Sequence, residues 1–456
     1  MSGVMRRLVL CAALLLSSCA PPDGDIATRA AIGEAALPPA RSFAQAHPEP
    51  PARANADIAR DFMDLAFRLE SGRRLPVFTR FEGPVTVRLT GRSSAGLRGD
   101  LRRLLDRLRA EAGIDIKLVR EGQADITVES VPGARIRREL PQAACFVVPN
   151  VSSLDEYRRM RRSSLTSWSD LRSRERLAVF IPADVSPQEA RDCLHEEIAQ
   201  ALGPLNDLYR LPDSVFNDDN VHTVLTGFDM LILRAYYDPA LRNGMSPEQV
   251  AARLPRILAR LNPRGEWLAR DPLPATPRAW IDAIQTALGP GASPATRRQA
   301  AAHALRIAQS EGWRDHRLAF SHFALGRIVQ MVDPGLARAQ FIAADRIHAT
   351  DPRLALHRAF VSAQLAAYAV AEGDAAQALA LTERSLPEAA RHENAMLMST
   401  LMMLRAEALD LAGQRADAAA VRVDSLGWAR YGFGADWAVR AKLREIGSLR
   451  PLNREG

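Results

Sequence analysis

Hydrophobic and polar positions alternate over short stretches in the first half of the chain and recur with helical spacing in the second half. Alternation and short apolar runs predict strands at 85–89, 114–119, 125–131 and 177–181, and helical spacing predicts a helix over 97–112. Prolines interrupt the pattern between 263 and 290, and alanine and leucine dominate beyond 293. The pattern therefore predicts an α+β domain with a mixed sheet, followed by an all-α repeat domain.

One further helix has clearly marked ends. Ser186 is suited to the N-cap, Pro187 to the first turn and Gly203 to the end of the helix. Its apolar residues recur at helical spacing and place Glu196 and Gln200 away from the core face. We therefore expect these two side chains at the wall of a cleft or in solvent.

Turn and alanine signals recur in the second half at Ala339, Ala378 and Ala418, 39 and 40 residues apart. The runs 373–378 and 413–418 resemble the turn and second helix of a tetratricopeptide repeat, although the spacing exceeds the usual ~34 residues. Three helix pairs fit this spacing, and a related helical-pair solenoid is an alternative. Such an array implies a concave surface for a protein or peptide, unless it packs on the first domain instead.

The run Glu196–Asn206 is similar in its offsets to the zinc helix of metzincin proteases, H-E-x-x-H-x-x-G-x-x-H. The resemblance puts Glu196, Gln200 and Asn206 at the three ligand positions and Glu197 at the general-base position. Phe216 stands where that superfamily has its Met-turn methionine. The order of predicted strands and helices from 85 to 237 is also that of a metzincin, so the resemblance implies a degenerate metzincin-like domain.

A closer resemblance is to a bacterial family named domain of unknown function 2927. It is carried by the run 196–207, by Ser214-Val215-Phe216-Asn217-Asp218, by Asp229, by Tyr237-Asp238-Pro239 and by Gly244-Met245. The family implies no particular reaction.

The residues at the ligand positions are poor zinc donors. Catalytic zinc sites usually present imidazole, thiolate or carboxylate groups, whereas this chain offers one carboxylate and two amides. Asp207 could add a second carboxylate, and oxygen donors of this kind suit calcium, magnesium or manganese better. We therefore expect no cofactor unless a divalent metal binds Glu196, Gln200, Asn206 and Asp207. His195 is one residue out of register and is expected to be a histidine at the edge of the core.

The N-terminus predicts a lipoprotein. Arg6-Arg7 and the apolar run 8–16 form a signal peptide over 1–18, and Leu16-Ser17-Ser18-Cys19 resembles a bacterial lipobox. Lipidation of Cys19 would anchor the protein to the membrane of the cell envelope, and Ala20 favours the outer membrane facing the periplasm. An uncleaved anchor is the alternative.

Charge and lysine usage exclude two classes of partner. The formal charge of +7 falls to +5 once Arg6 and Arg7 are removed, and the arginine cluster at 158–162 has no interleaved aromatic residues. We therefore predict no nucleic-acid binding. Only Lys117 and Lys442 are lysines, and glycine precedes neither, so no phosphate-loop signature supports ATP binding.

Two cysteines, Cys145 and Cys193, remain in the mature chain, where an oxidising compartment favours a disulfide between them. The bond would tie a sheet edge to the helix that carries Glu196; two free buried thiols are the alternative.

These observations predict the domain organisation and two functions. The predicted segments are a signal peptide (1–18), a disordered tether (19–53), the metzincin-like domain (54–262), a linker with a short helix (263–292), the helical repeat domain (293–435) and a C-terminal tail (436–456). The favoured function is a lipid-anchored envelope protein whose inactive metzincin-like domain and helical repeats bind polypeptide. The alternative is a divergent metal-dependent peptidase of the periplasm, with Glu197 as its general base.

Overall fold

The α/β region is built on a five-stranded mixed sheet, seen in a computed structural model that describes residues 37–43 and 49–451. The strand order is β2-β1-β3-β5-β4; the strands are β1 (Val85–Gly91), β2 (Ile116–Val119), β3 (Ile126–Val131), β4 (Phe146–Pro149) and β5 (Leu177–Pro182). Neighbouring strands are parallel except for β4, which lies antiparallel to β5 at one edge. Every residue of β5 is buried, as expected of a strand covered on both faces.

Eight helices accompany the sheet among the described residues of this region. They are α1 (Asn55–Phe67), α2 (Ala95–Ala112), α3 (Gly133–Glu139), α4 (Leu154–Met160), α5 (Pro187–Leu202), α6 (Gly227–Tyr236), α7 (Pro247–Ala251) and α8 (Leu254–Leu261). Helix α5 packs against β4, β5 and α2, and α2 also contacts α6. The apolar side of α5 therefore faces the sheet core, as its hydrophobic spacing predicts.

The second region is helical throughout its described residues. Its helices are α9 (Arg278–Leu288), α10 (Pro294–Ser310), α11 (His316–Val329), α12 (Pro334–His348), α13 (Ala355–Glu372), α14 (Ala375–Arg391), α15 (Ala395–Leu411), α16 (Arg415–Phe433) and α17 (Asp436–Gly447). Residues assigned to a tail by the sequence thus form α17. Consecutive helices pack most closely in the pairs α11–α12, α13–α14 and α15–α16. A mixed sheet followed by a helical region confirms the predicted fold class.

The second helices of these pairs start 41 and 40 residues apart, at Pro334, Ala375 and Arg415. Each buries an alanine completely near its start: Ala337, Ala378 and Ala418. Ala339, taken from the sequence as the first repeat signal, is exposed instead. A small residue is needed where the paired helices approach each other, and that position is Ala337.

The helical region is docked on the α/β region, and both belong to one compact unit that begins at Pro38. Arg191 of α5 is buried and donates to the carbonyl of Glu393 at 2.6 Å and to its Oε2 at 3.0 Å. Gln188 donates to Asn394 Oδ1 at 3.2 Å. Tyr209 lies in an apolar cluster with Trp280 of α9. These buried contacts mean that part of the array's surface packs against the first region.

Part of the segment predicted as a tether also lies on the folded body. The Arg41 amide donates to the carbonyl of Gly427 at 2.9 Å, and the Phe43 ring packs on Trp428 with centroids 4.6 Å apart. Residues 1–36, and with them the predicted signal peptide and Cys19, lie outside the described residues.

A disulfide joins Cys145 to Cys193. Cys145 immediately precedes the edge strand β4, and Cys193 lies on α5, with their Cα atoms 6.0 Å apart. The bond closes a loop with a sequence separation of 48 residues. In the chain-entropy model a loop of that size stabilises the folded state by about 4 kcal/mol. The sheet edge and α5 are therefore held together covalently.

Candidate functional site

Helix α5 is fixed at both ends by the residues that mark its ends in the sequence. Ser186 Oγ accepts from the amide of Glu189 at 3.2 Å, and Pro187 occupies the first turn. At the other end, the Gly203 amide donates to the carbonyl of Ala199 at 2.9 Å. Its polar residues are consequently presented from a rigid helix.

Gly203 is required by close approach rather than by an unusual φ. A Cβ at this position would lie 2.8 Å from the Tyr236 ring, so the chain can leave the helix here only without a side chain. The turn is therefore pressed against α6, and it directs the chain towards Asn206 and Asp207.

Arg174 holds the C-terminal end of α5. Its Nη1 donates to the carbonyls of Gln200 at 2.5 Å and Ala201 at 2.8 Å, and its Nη2 donates to the carbonyl of Gly203 at 2.5 Å. The side chain is buried, and burial lowers its pKa. The last carbonyls of a helix lack intrahelical partners, and a cation is stabilising there.

The predicted site residues are brought to one part of the molecule, but they do not all face each other. Glu197 and Gln200 are 5% and 8% exposed, whereas Glu196 and Asp207 are half-buried. Asn206 Nδ2 donates to the backbone carbonyl of Asp64 at 3.0 Å. The Asn206 amide is therefore used to hold the turn against α1.

The carboxyl groups form an acidic cluster, defined here as Glu70, Glu196, Glu197, Asp207 and Asp218. Burial, followed by the charges of Asp218 and Glu70, raises the pKa of Glu196 to about 8. Burial and the neighbouring Glu196 raise the pKa of Glu197 well above its usual range. A carboxyl group ionises reluctantly when it is buried beside others, so this environment favours the protonated form of both groups.

The carboxyl groups of Asp207 and Glu70 lie close enough to affect each other's ionisation, and Glu70 is exposed on its other side. Burial, then the charge of Glu70, raises the pKa of Asp207 well above its usual range, and burial also raises the pKa of Glu70. One proton between two carboxyl groups accounts for this contact.

Asp218 connects the acidic cluster to the helical region. Its carboxyl group neighbours the hydroxyl of Tyr209 and the side chain of Gln285 of α9, and burial raises its pKa while both neighbours lower it. Glu70, Tyr209 and Gln285 are site residues that the sequence analysis missed. Gln285 carried no signal, since it lies in a stretch that the sequence assigns to the linker.

Two buried oxygen atoms of the acidic cluster have no hydrogen-bond partner among the described residues: Glu197 Oε2 and Asp207 Oδ1. An unpaired buried oxygen costs about 1–3 kcal/mol, and such atoms concentrate where a ligand or a reaction later supplies the partner. Glu197 Oε2 and Asp207 Oδ1 therefore mark the place where the acidic cluster can bind a hydrogen-bonding ligand.

The turn that precedes α6 is built around Asp229. Its carboxylate accepts from Ser214 Oγ at 2.5 Å, from the Thr226 amide at 2.8 Å and from the Val215 amide at 3.1 Å. Burial raises the pKa of Asp229 to about 6 against the opposing effect of these bonds. Phe216, the residue that the sequence resemblance aligns with a Met-turn methionine, is completely buried. This segment supports the site without presenting a reactive group.

The donor set does not fit zinc. The candidate positions supply carboxyl and amide oxygens, and several of the carboxyl groups hold protons that a metal would have to displace. His195, the nearest imidazole in sequence, is buried, and its Nδ1 accepts from the Leu225 amide at 3.1 Å. Among the described side chains, no three histidine, cysteine, aspartate or glutamate residues are placed to share a metal ion.

The fold and site define an α/β domain with an acidic cluster that runs from buried Glu197 to exposed Glu70, extended by a helical array. Residues 55–256 match the family model described as "Protein of unknown function (DUF2927)". The match spans the whole sheet and α1 to α7, includes every residue of the acidic cluster, and leaves the helical array outside. No curated protein and no solved structure matches the chain.

Proposed function

We propose that the protein binds polypeptide at the acidic cluster without cutting it, and that lipidation of Cys19 anchors it in the bacterial cell envelope. The α/β region is, in this proposal, a metzincin-like scaffold that has lost its zinc. The helical repeats form one side of the binding region through Gln285 and offer their remaining surface to an envelope protein or peptide.

The proposal rests on two oxygens of the acidic cluster, Glu197 Oε2 and Asp207 Oδ1, which have no hydrogen-bond partner among the described residues. A neutral carboxyl group donates one hydrogen bond and accepts others, as does the amide of Gln200. An extended polypeptide presents the complementary groups, one N–H and one C=O per residue. The elevated pKa of Glu196, about 8, keeps this donor–acceptor pattern at neutral pH, when an ordinary glutamate would be an anion.

The absence of zinc is the first testable consequence. Residues 20–456, purified without a chelating tag, are expected to contain far less than one zinc per chain by inductively coupled plasma mass spectrometry. Restoring the histidines with Glu196→His, Gln200→His and Asn206→His together should create a stoichiometric site, because a helix places the first two four residues apart and the Gly203 turn delivers the third. The Glu196→His/Gln200→His pair alone is the matched control and should bind zinc more weakly.

Stoichiometric zinc in the unaltered protein, lost in Glu196→Ala, would overturn the non-catalytic proposal. Failure of the triple-histidine protein to bind more zinc than the pair, while folded by circular dichroism, would overturn the metzincin-like scaffold.

Binding without cleavage is the second consequence. A dye-labelled, reduced and alkylated polypeptide should bind in fluorescence anisotropy and stay intact on electrophoresis. Gln200→Leu should weaken binding about five- to tenfold, the worth of one or two hydrogen bonds. Gln309→Leu on α10, outside the cluster, serves as the control. Equal affinities for the two variants would contradict binding at this site.

A divergent peptidase is the second candidate, favoured by Glu197 alone. Its Oε2 has no hydrogen-bond partner among the described residues, and the sequence resemblance aligns Glu197 with the metzincin general base. Cleavage of the labelled polypeptide that Glu197→Gln abolishes, with binding retained, would establish this candidate in place of the first.

A further inference from the structure

Five of the nine histidines of the chain meet where the helical region contacts the α/β region. The ring centroids lie 5.2 Å apart for His222 and His392, 5.5 Å for His348 and His357, and 5.8 Å for His222 and His357. The ring of His316 is 6.1 Å from His357. These five residues are the histidine cluster.

The histidine cluster joins elements from both regions. His222 lies on the loop between α5 and α6, within 212–225, whereas the other four histidines come from the helical region. His316 begins α11, His348 ends α12, His357 lies in the first turn of α13, and His392 follows α14. Separating the loop from the array would therefore remove His222 from the rings of His357 and His392 and Asp219 from His357, and would uncover the rings that stay on the array.

The hydrogen bonds of the cluster suit neutral rings. Nε2 of His316 donates to the carbonyl of Tyr209 at 2.7 Å, and Nε2 of His222 donates to that of Pro212 at 3.0 Å, because a carbonyl only accepts. Nε2 of His357 contacts Asp219 Oδ2 at 3.1 Å. Nδ1 of His348 and of His357 is buried with no partner among the described residues. A proton added to either Nδ1 would have no acceptor.

Burial and the neighbouring rings disfavour charge on these histidines. Burial, then His357, lowers the pKa of His222 and of His316 to about 4. Burial, then His222, lowers the pKa of His392 to about 3, and burial, then His357, lowers that of His348 to about 2. The charged groups that face the cluster are Asp219 on the loop, Asp315 before α11, Asp351 before α13, Arg358 on α13, and Glu388 and Arg391 on α14.

We propose that the histidine cluster is a proton-operated latch that holds loop 212–225 against helices α11–α14 while the rings are neutral and releases it on acidification. The sign follows from linkage. A ring freed by opening regains its ordinary pKa of about 6.5, so below that pH the open form binds more protons than the closed form. Each histidine released multiplies the opening constant by up to about tenfold per pH unit, down to its pKa in the closed form.

Two possible ligand-binding places adjoin the latch. A cavity of about 140 Å³ borders His222 and His392 and is also lined by Arg353 and Arg391. Tyr209 accepts from His316 through its carbonyl and meets Asp218 of the acidic cluster through its hydroxyl. Opening of the latch would enlarge this cavity and would displace Tyr209 from the acidic cluster.

Hydrogen–deuterium exchange of the intact chain, corrected for the intrinsic effect of pH, tests the proposal. Between about pH 6.5 and pH 5, the opening constant for peptides from 212–225 and 348–357 should rise about 15-fold for each histidine released, because a free ring is already about half-protonated at pH 6.5. Peptides from β5, in the sheet core, should rise much less. Parallel rises in all these peptides would mean general acid unfolding and would overturn the latch.

His348→Leu removes one proton-binding ring and should lower the pH-dependent rise by about 15-fold relative to the unaltered protein. His303→Leu, on the exposed side of α10, should leave the rise unchanged. His392→Phe repeats the test at a half-buried position in case His348→Leu does not fold. An unaltered rise in the folded variants would contradict the proposal.

Discussion

Replacing Arg174 with methionine is expected to destabilise the folded protein by about 3–5 kcal/mol. The guanidinium donates to the carbonyls of Gln200, Ala201 and Gly203, which are buried at the end of α5. Methionine fills the space, but it leaves these carbonyls without a donor. Guanidinium chloride unfolding, followed by circular dichroism, should show the loss as a lower midpoint with an unchanged slope.

Arg172→Met is the control, because Arg172 is exposed two residues away and its replacement should change the free energy of unfolding by less than about 0.5 kcal/mol. Arg174→Lys should recover only part of the loss, since one ammonium group cannot reproduce the planar set of donors. A loss below about 1 kcal/mol in Arg174→Met would show that water or the backbone replaces the guanidinium.

The elements of the α/β region could be predicted because their signals are local. The alternating pattern predicted β1, and the Ser186–Pro187 pair predicted the start of α5. The four-residue spacing of Glu196 and Gln200 also required only the geometry of one helix. Arg174 could not be recognised, because its partners are the carbonyls of residues at least 26 positions away.

The acidic cluster was only half predictable for the same reason. Glu196, Glu197 and Asp207 belong to one continuous run. Glu70 joins them from more than 100 residues before Asp218, and Gln285, which neighbours Asp218, lies nearly 70 residues after it. The histidine cluster could not be predicted at all, because its five residues are scattered along the sequence and share no motif. Only the docking of the array on loop 212–225 gives them a common environment.

The two clusters respond to pH in opposite directions. The histidine cluster loses stability as the pH falls below about 6.5, because freed rings then take up protons that the closed form excludes. The acidic cluster loses stability as the pH rises, because its carboxyl groups hold protons in the folded state. Tyr209 lies between them: its carbonyl accepts a hydrogen bond from His316, and its hydroxyl neighbours Asp218. The contact between the two regions is therefore expected to be firmest at intermediate pH.

Replacing Glu196 with glutamine is expected to raise the free energy of unfolding near pH 9 by about 1–3 kcal/mol and to leave it nearly unchanged near pH 4. Burial and the charges of Asp218 and Glu70 raise the pKa of Glu196 from 4.5 in its ordinary state to about 8. Between these values the folded protein holds a proton that the unfolded chain has released. The stability due to this group is therefore complete below about pH 4.5 and is lost as the pH rises through about 8.

Glutamine keeps the shape of the neutral glutamic acid but cannot ionise, so the variant should not show this loss. Urea unfolding at several pH values, in protein treated with a chelator, measures the difference, and Glu175→Gln at an exposed position controls for the removal of a charge. A constant difference between Glu196→Gln and the unaltered protein from about pH 5 to pH 9 would mean that Glu196 is an ordinary carboxylate. The neutral hydrogen-bonding pattern on which polypeptide binding was proposed would then be absent at physiological pH.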